Sequence, residues 1–145
     1  MSGSNKDVLW NCTIQGPNGL YLDVPKGGGP VTASAATASL SCRFVWYTDG
    51  SIQSEATGLY LYQGGSATPT PVLTAGTKLP PQFYEYVVGT DGSVVNGVYK
   101  GNVRLKPRPD EYWTLRKVFN DGIALGKVQS GSTNNPTLFT IIPIN

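Results

Sequence analysis

The stretch "GLYLDV" at residues 19–24 returns as "GLYLYQ" at residues 58–63, with the fifth position changed from Asp23 to Tyr62. A hexapeptide frame written twice in a 145-residue chain points to a pseudo-symmetric fold. Successive side chains of a strand point to opposite faces. Leu20, Leu22 and Val24 therefore share one face, and Tyr21 and Asp23 the other. In the second copy Leu59 and Leu61 are expected inward, with Tyr60 and Tyr62 outward.

Outward from this frame the apolar runs keep a common distance. From Leu20 the next runs fall 11 residues on at Val31 and 26 on at Trp46. From Leu59 they fall 13 on at Val72 and 27 on at Tyr86. Taking Trp113 as a third anchor gives Ile123 at 10 and Phe139 at 26. "DGSI" at residue 49 recurs as "DGSV" at residue 91, each opening the next unit. Adding a preceding run to each unit ("LWNCTIQ", "SIQSEA", "SVVNGVYKGNVRL") gives about twelve strands in three pseudo-symmetric units.

Helical periodicity is nearly absent. "EYWTLRKVF" sets Tyr112, Thr114 and Arg116 against Trp113, Leu115 and Lys117, the period of a strand. Short β-rich runs divided by turn residues at roughly 8–12-residue spacing mark an all-β sandwich or barrel. Three four-stranded units make that barrel a β-trefoil, six strands in a barrel closed at one end by three hairpins. The expected domain is single, 1–145, with units near 7–49, 50–91 and 92–145. A competing register aligns Trp113 with Trp10, since each Trp lies nine residues before its Gly.

Composition narrows the function. The chain has 18 glycines and 11 prolines, 14% charged residues and no histidine. Without histidine the Ser-His-Asp and Cys-His machineries and His-based metal sites are excluded. The nine carboxylates form no motif, so no enzymatic activity, metal or cofactor is expected. The net charge is +2, and the cluster "KGNVRLKPR" (residues 100–108) lacks the dense basic stripe of a nucleic-acid site, so it reads as solvated surface. No run is long enough to span a bilayer, and no leader pattern is seen. Neither nucleic acid nor membrane is expected as a partner. The expected location is cytoplasmic, or outside the cell by an unconventional route. Asn11-Cys12-Thr13 is therefore read as a chance glycosylation pattern. Cys12 and Cys42 are too few for a disulfide scaffold and are expected as buried thiols, with a single bridge left open. Trp10, Phe44, Trp46, Trp113, Phe139, Ile141 and Ile142 are the expected core.

The three-unit rhythm and its short phrases resemble the mushroom β-trefoil family of lectins and protease inhibitors, which are small, leaderless and poor in histidine. The resemblance spans nearly the whole chain. The Gln-x-Trp signature of ricin-type lectins is replaced by Phe44-Val45-Trp46 and Tyr84-Glu85-Tyr86. In the ricin-type galactose site an Asp on the second strand of a unit receives sugar hydroxyls. Asp23 stands at the matching place, although "VTASA" has no aromatic platform. The second unit, "PVLTAGTKLPPQFYEYVV", resembles fungal trefoil lectins that recognise fucosylated chitobiose. That resemblance implies sugar-stacking aromatics at Tyr62, Tyr84 and Tyr86, with a polar contact at Gln82 or Phe83.

The residues point the same way on their own chemistry. Sugars bind where an aromatic face meets the C–H face of the ring and nearby amides or carboxylates hold the hydroxyls. Residues 58–88 supply Tyr60, Tyr62, Gln63, Gln82, Tyr84, Glu85 and Tyr86. Tyr86 is claimed twice, as the counterpart of core Trp46 and as a sugar contact. The expectation is a glycan-binding lectin. Two alternatives are a trefoil protease inhibitor and a lectin-like subunit that binds another protein. The inhibitor would present Lys26 in "PKGGGP", Lys78 in "TKLPP" or Arg108 in "KPRPDE", although three glycines predict a floppy loop around Lys26. A homodimer or a protein partner is left open.

Overall fold

The computed structural model describes residues 7–64, 72–76, 85–88, 93–106, 108–116, 122–127 and 137–144. Its elements are almost all strands. The first unit holds β1 (Val8–Gln15), β2 (Tyr21–Asp23), β3 (Gly29–Pro30), β4 (Thr32–Ala35) and β5 (Arg43–Tyr47), with a 3-10 turn at Leu40–Cys42. The second holds β6 (Ile52–Ser54), β7 (Tyr60–Gly64), β8 (Val72–Gly76) and β9 (Tyr86–Val88). The third begins with β10 (Ser93–Val95), β11 (Val98–Gly101) and β12 (Val103–Leu105). It ends with β13 (Arg108–Arg116), β14 (Gly122–Lys127) and β15 (Phe139–Pro143).

These strands form a β-trefoil. The barrel runs β11–β15–β1–β5–β6 on one side and β12–β9 on the other. The Tyr86 amide, donating to the Gly50 carbonyl at 2.8 Å, ties β9 to the turn before β6. The hairpins β2–β4, β7–β8 and β13–β14 form the cap. At the centre of the cap Val31 N–H donates to the Leu73 carbonyl at 2.9 Å, and Ile123 N–H to the Val31 carbonyl at 3.2 Å. Val31, Leu73 and Ile123 are all fully buried. Leu73, not Val72, is therefore the second-unit counterpart of Val31, one residue later than the spacing predicts.

The repeated frame has a local cause. Gly19 and Gly58 take φ values of 81° and 74°, which a side chain would disfavour. The turn before each is built alike. Gln15 Nε2 donates to the Gly19 carbonyl and Gln53 Nε2 to the Gly58 carbonyl, while Asn18 and Thr57 side chains accept from the Leu20 and Leu59 amides. The strand that follows buries Leu22 in one unit and Leu61 in the other.

Trp113 occupies the same place in β13 and is also fully buried, which rejects its alignment with Trp10 of β1. Around Trp113 stand Trp46, Tyr86 and Phe139, at ring centroid distances of 6.5, 5.2 and 5.5 Å. These are the residues that the spacing aligns, one from each unit. The barrel thus closes around a tryptophan with one aromatic wall per unit, in the offset and edge-on geometries that aromatic pairs favour.

Three sequence expectations change. "SVVNGVYKGNVRL" is not one strand but a hairpin: Asn96 (φ 53°) and Gly97 (φ 79°) turn the chain between β10 and β11. The Asn-Gly pair is a strong signal for such a turn, because both central residues take positive φ. This extra strand, the short β3 and the break at Asn102 raise about twelve strands to fifteen among the described residues. In the expected core, Phe44, Trp46, Trp113, Phe139 and Ile141 are buried, but Trp10 and Ile142 are only partly so. Ile142 alternates outward from Ile141, and Trp10 lies where the barrel opens. Cys12 and Cys42 are both buried and free, so they form no bridge.

Candidate functional site

Alternation along β7 puts Leu61 in the core and leaves Tyr60 and Tyr62 partly exposed on the outer face. Cross-strand partners share a face. Tyr62 lies opposite Thr74 of β8, and Thr74 opposite Pro30 of β3, so Tyr62, Thr74 and Pro30 form one outward row. Tyr60 lies opposite Gly76. The Tyr62 ring reaches diagonally to Gly76, where an added Cβ would lie 2.9 Å from Tyr62 Cε1 and 3.3 Å from its hydroxyl oxygen. The missing side chain at Gly76 makes room for that edge of the ring, so the ring meets the hairpin edge-on. Thr74, Gly76 and Pro30 carry no sequence signal for a site. Only the register of β3 and β8 brings them to the tyrosines.

The other expected sugar contacts divide. Gln82 and Tyr84 lie outside the described residues, as does Lys78. For Gln63 and Arg108 only the strand backbone is described. Glu85 is partly exposed, with its Cβ 3.1 Å from where a Gly50 side chain would start and its carbonyl accepting from the Lys106 amide. It therefore sits beside the turn between the first two units.

Tyr86 is corrected from sugar contact to core. It has no exposed surface, and its carbonyl accepts from Trp46 Nε1 at 3.2 Å. Burial pushes its hydroxyl well above the usual phenol range, a rise that Trp113 beside it only partly offsets. The Trp113 indole N–H itself has no hydrogen-bond partner of good geometry.

Asp23, half-buried on β2, is engaged from within. The Ser41 hydroxyl donates to Asp23 Oδ1 at 2.6 Å, with the Cys42 thiol 3.8 Å from the same oxygen. Its carboxylate is a strut between β2 and the Leu40–Cys42 turn. Among the described residues no three Cys, Asp or Glu side chains gather as a metal site requires.

Lys26 is exposed on a turn that carries its own hydrogen bond. The Gly28 amide donates to the Pro25 carbonyl at 2.9 Å, and β3 pairs with β8. Gly28 takes a φ of 87°, and a Cβ there would meet the Ala75 carbonyl oxygen at 2.9 Å. Gly28 thus serves close approach to the second-unit hairpin.

No protein-family model matches the chain, and no curated protein matches it by sequence. Solved structures do match. An earthworm R-type lectin C-half in complex with GalNAc aligns with a TM-score of 0.66 at 14% identity, covering 93% of this chain and 99% of that one. The ricin B-like lectin of Macrolepiota procera in complex with lactose aligns with a TM-score of 0.67 at 11% identity, covering 97% and 100%. The hemolytic lectin CEL-III aligns with a TM-score of 0.72 at 12% identity over 95% of this chain, which spans 33% of that protein. These structural neighbours are ricin B-like lectins, and at such identities the likeness establishes the β-trefoil fold.

Proposed function

We propose that this protein is a glycan-binding lectin that acts without covalent chemistry, through the outer face of the β7–β8 hairpin. The observation that carries this reading is the outward pair Tyr60 and Tyr62, with the edge of the Tyr62 ring set against Gly76. A sugar ring would stack its C–H face on Tyr62, and the Thr74 hydroxyl lies in the same row for its hydroxyls. The neighbours crystallised with lactose and GalNAc support sugar as the ligand class. Gln63, Gln82, Tyr84 and Glu85 are proposed only as auxiliary contacts.

A glycan array probed with the parent protein and with Tyr62→Ala tests the reading. The parent is expected to retain a subset of oligosaccharides that the variant releases at an unchanged melting temperature. Equal retention by both proteins removes this face from the proposal. One observation favours protease inhibition as a second reading: exposed Lys26 stands on a turn closed by the Gly28–Pro25 hydrogen bond, which would lower the ordering cost of docking. A trypsin-like protease that stays active with the parent protein in excess rejects it.

A further inference from the structure

The two hairpins that join successive units differ in length. Between β5 and β6 the chain turns at once, with the Tyr47 amide donating to the Ser51 carbonyl at 2.8 Å. Between the second and third units it continues as an arm. β9 runs along β12 (Tyr86↔Leu105, Val88↔Val103), and β10 then runs along β11 (Ser93↔Lys100, Val95↔Val98) before the Asn96–Gly97 turn.

This end of the barrel is apolar. Val94 and Val95 of the arm are 60% and 64% exposed. With Val8, Leu9 and Val87 they make up five of the seven exposed large hydrophobic residues among those described. Beside the arm lies a groove of about 220 Å³ lined by Leu9, Trp10, Tyr47, Val87, Val88 and Tyr99. Val94 is the cross-strand partner of Tyr99 and so faces the same way. Among the described residues β10 pairs only with β11. Its three residues carry neither the charge nor the proline that commonly guards an open edge.

We propose that this open end is a two-fold interface between two copies of this chain. β10 pairs antiparallel with its counterpart, and Val94 of each copy, on the Tyr99 side of the strand, covers the Trp10–Tyr99 groove of the other. Several features select a second copy. Antiparallel pairing of a strand with its own copy is what a two-fold axis produces, and a face carrying one edge and one groove is complementary to itself. Residues 8–11, 86–88 and 93–99 include no charged side chain, so the face does not select an anionic partner. At a net charge of +2, two copies meet with little repulsion. A small ligand in the groove would leave the arm valines wet. A stable interface hides about 800 Å² per partner, about a tenth of this chain's 8035 Å² surface.

Sedimentation equilibrium over a micromolar concentration series, on the full chain and on Val94→Asp/Val95→Asp, tests the proposal. The parent is expected to move from one chain to two as concentration rises. The double variant is expected to remain at one, with the same melting temperature. Val94→Lys serves if the double variant does not fold. Trp46 and Trp113 are buried, so acrylamide quenching reports Trp10 and should fall as the parent associates. A dimer that survives these substitutions overturns the proposal. So does a parent that stays monomeric: protected Trp10 would then assign the face to residues 1–6, and quenched Trp10 would assign it to a different partner. None of the substituted residues belongs to the tyrosine face, so glycan binding can fail or succeed independently.

Discussion

The two copies of the hexapeptide share their inner face and differ on the outer one. Leu22 and Leu61 fill equivalent core positions, and both strands are entered through a positive-φ glycine and the same glutamine-held turn. Outside, Asp23 is tied to Ser41 as an internal strut, whereas Tyr62 is partly exposed with its ring edge against Gly76. The fold reuses the positions that close the barrel and leaves the alternate positions free to diverge. Function is therefore expected where the copies disagree.

The shared face gives the largest effects. Leu22→Ala and Leu61→Ala should each lower stability by about 2–5 kcal/mol, as buried leucine truncations do. Chemical denaturation should find the two losses similar, and a large disparity would break the equivalence of the copies. Alkaline pH attacks the same core through Cys12 of β1. Burial pushes its thiol up from the ordinary 9.0 to about 12. The unfolded chain then releases the proton first, so the contribution is complete below pH 9 and is lost as pH rises through 12. Denaturation midpoints should fall across that window, at up to about 1.4 kcal/mol per pH unit for this group. Cys12→Ala should flatten that slope.

The outer face should separate stability from binding. Asp23→Ala is expected to cost about 1 kcal/mol through the lost Ser41 bond, with glycan retention intact on the array. Tyr62→Ala should do the reverse. Aromatic stacking is worth about 0.5–1.5 kcal/mol, so affinity should fall roughly two- to tenfold at a constant melting temperature. The smallest effect is expected from Gly76→Ala, whose methyl would lift the Tyr62 ring off the hairpin. Titration calorimetry should show a weaker sugar affinity than the parent's, with stability nearly unchanged. A Gly76→Ala protein that binds as tightly as the parent would detach the ring's posture from recognition.

The sequence carried the cap and the barrel because both rest on alternation, which is local and repeats. Trp46, Tyr86 and Phe139 could be aligned by distance alone, and they meet around Trp113. Of the two claims on Tyr86 that the sequence leaves open, burial decides for the core. The Asn96–Gly97 turn was legible but was read through, because the valines on either side continue a strand pattern. The candidate surface was only half legible. Tyr60 and Tyr62 follow from alternation, but Thr74, Gly76 and Pro30 join them through cross-strand register, which depends on residues far apart in the chain. Asp23 showed the converse limit, since its partner Ser41 comes from a turn that no strand period predicts.

The central claim is that sugar meets this protein on the outer face of the second hairpin. Titration of an oligosaccharide retained on the array into isotope-labelled protein, followed through backbone amide shifts, tests it directly. The shifts should concentrate at residues 60–64 and 72–76 and leave the Asp23 strand and the Trp10 end unmoved. Shifts centred on Asp23 and Ser41, or on the third hairpin, would contradict it.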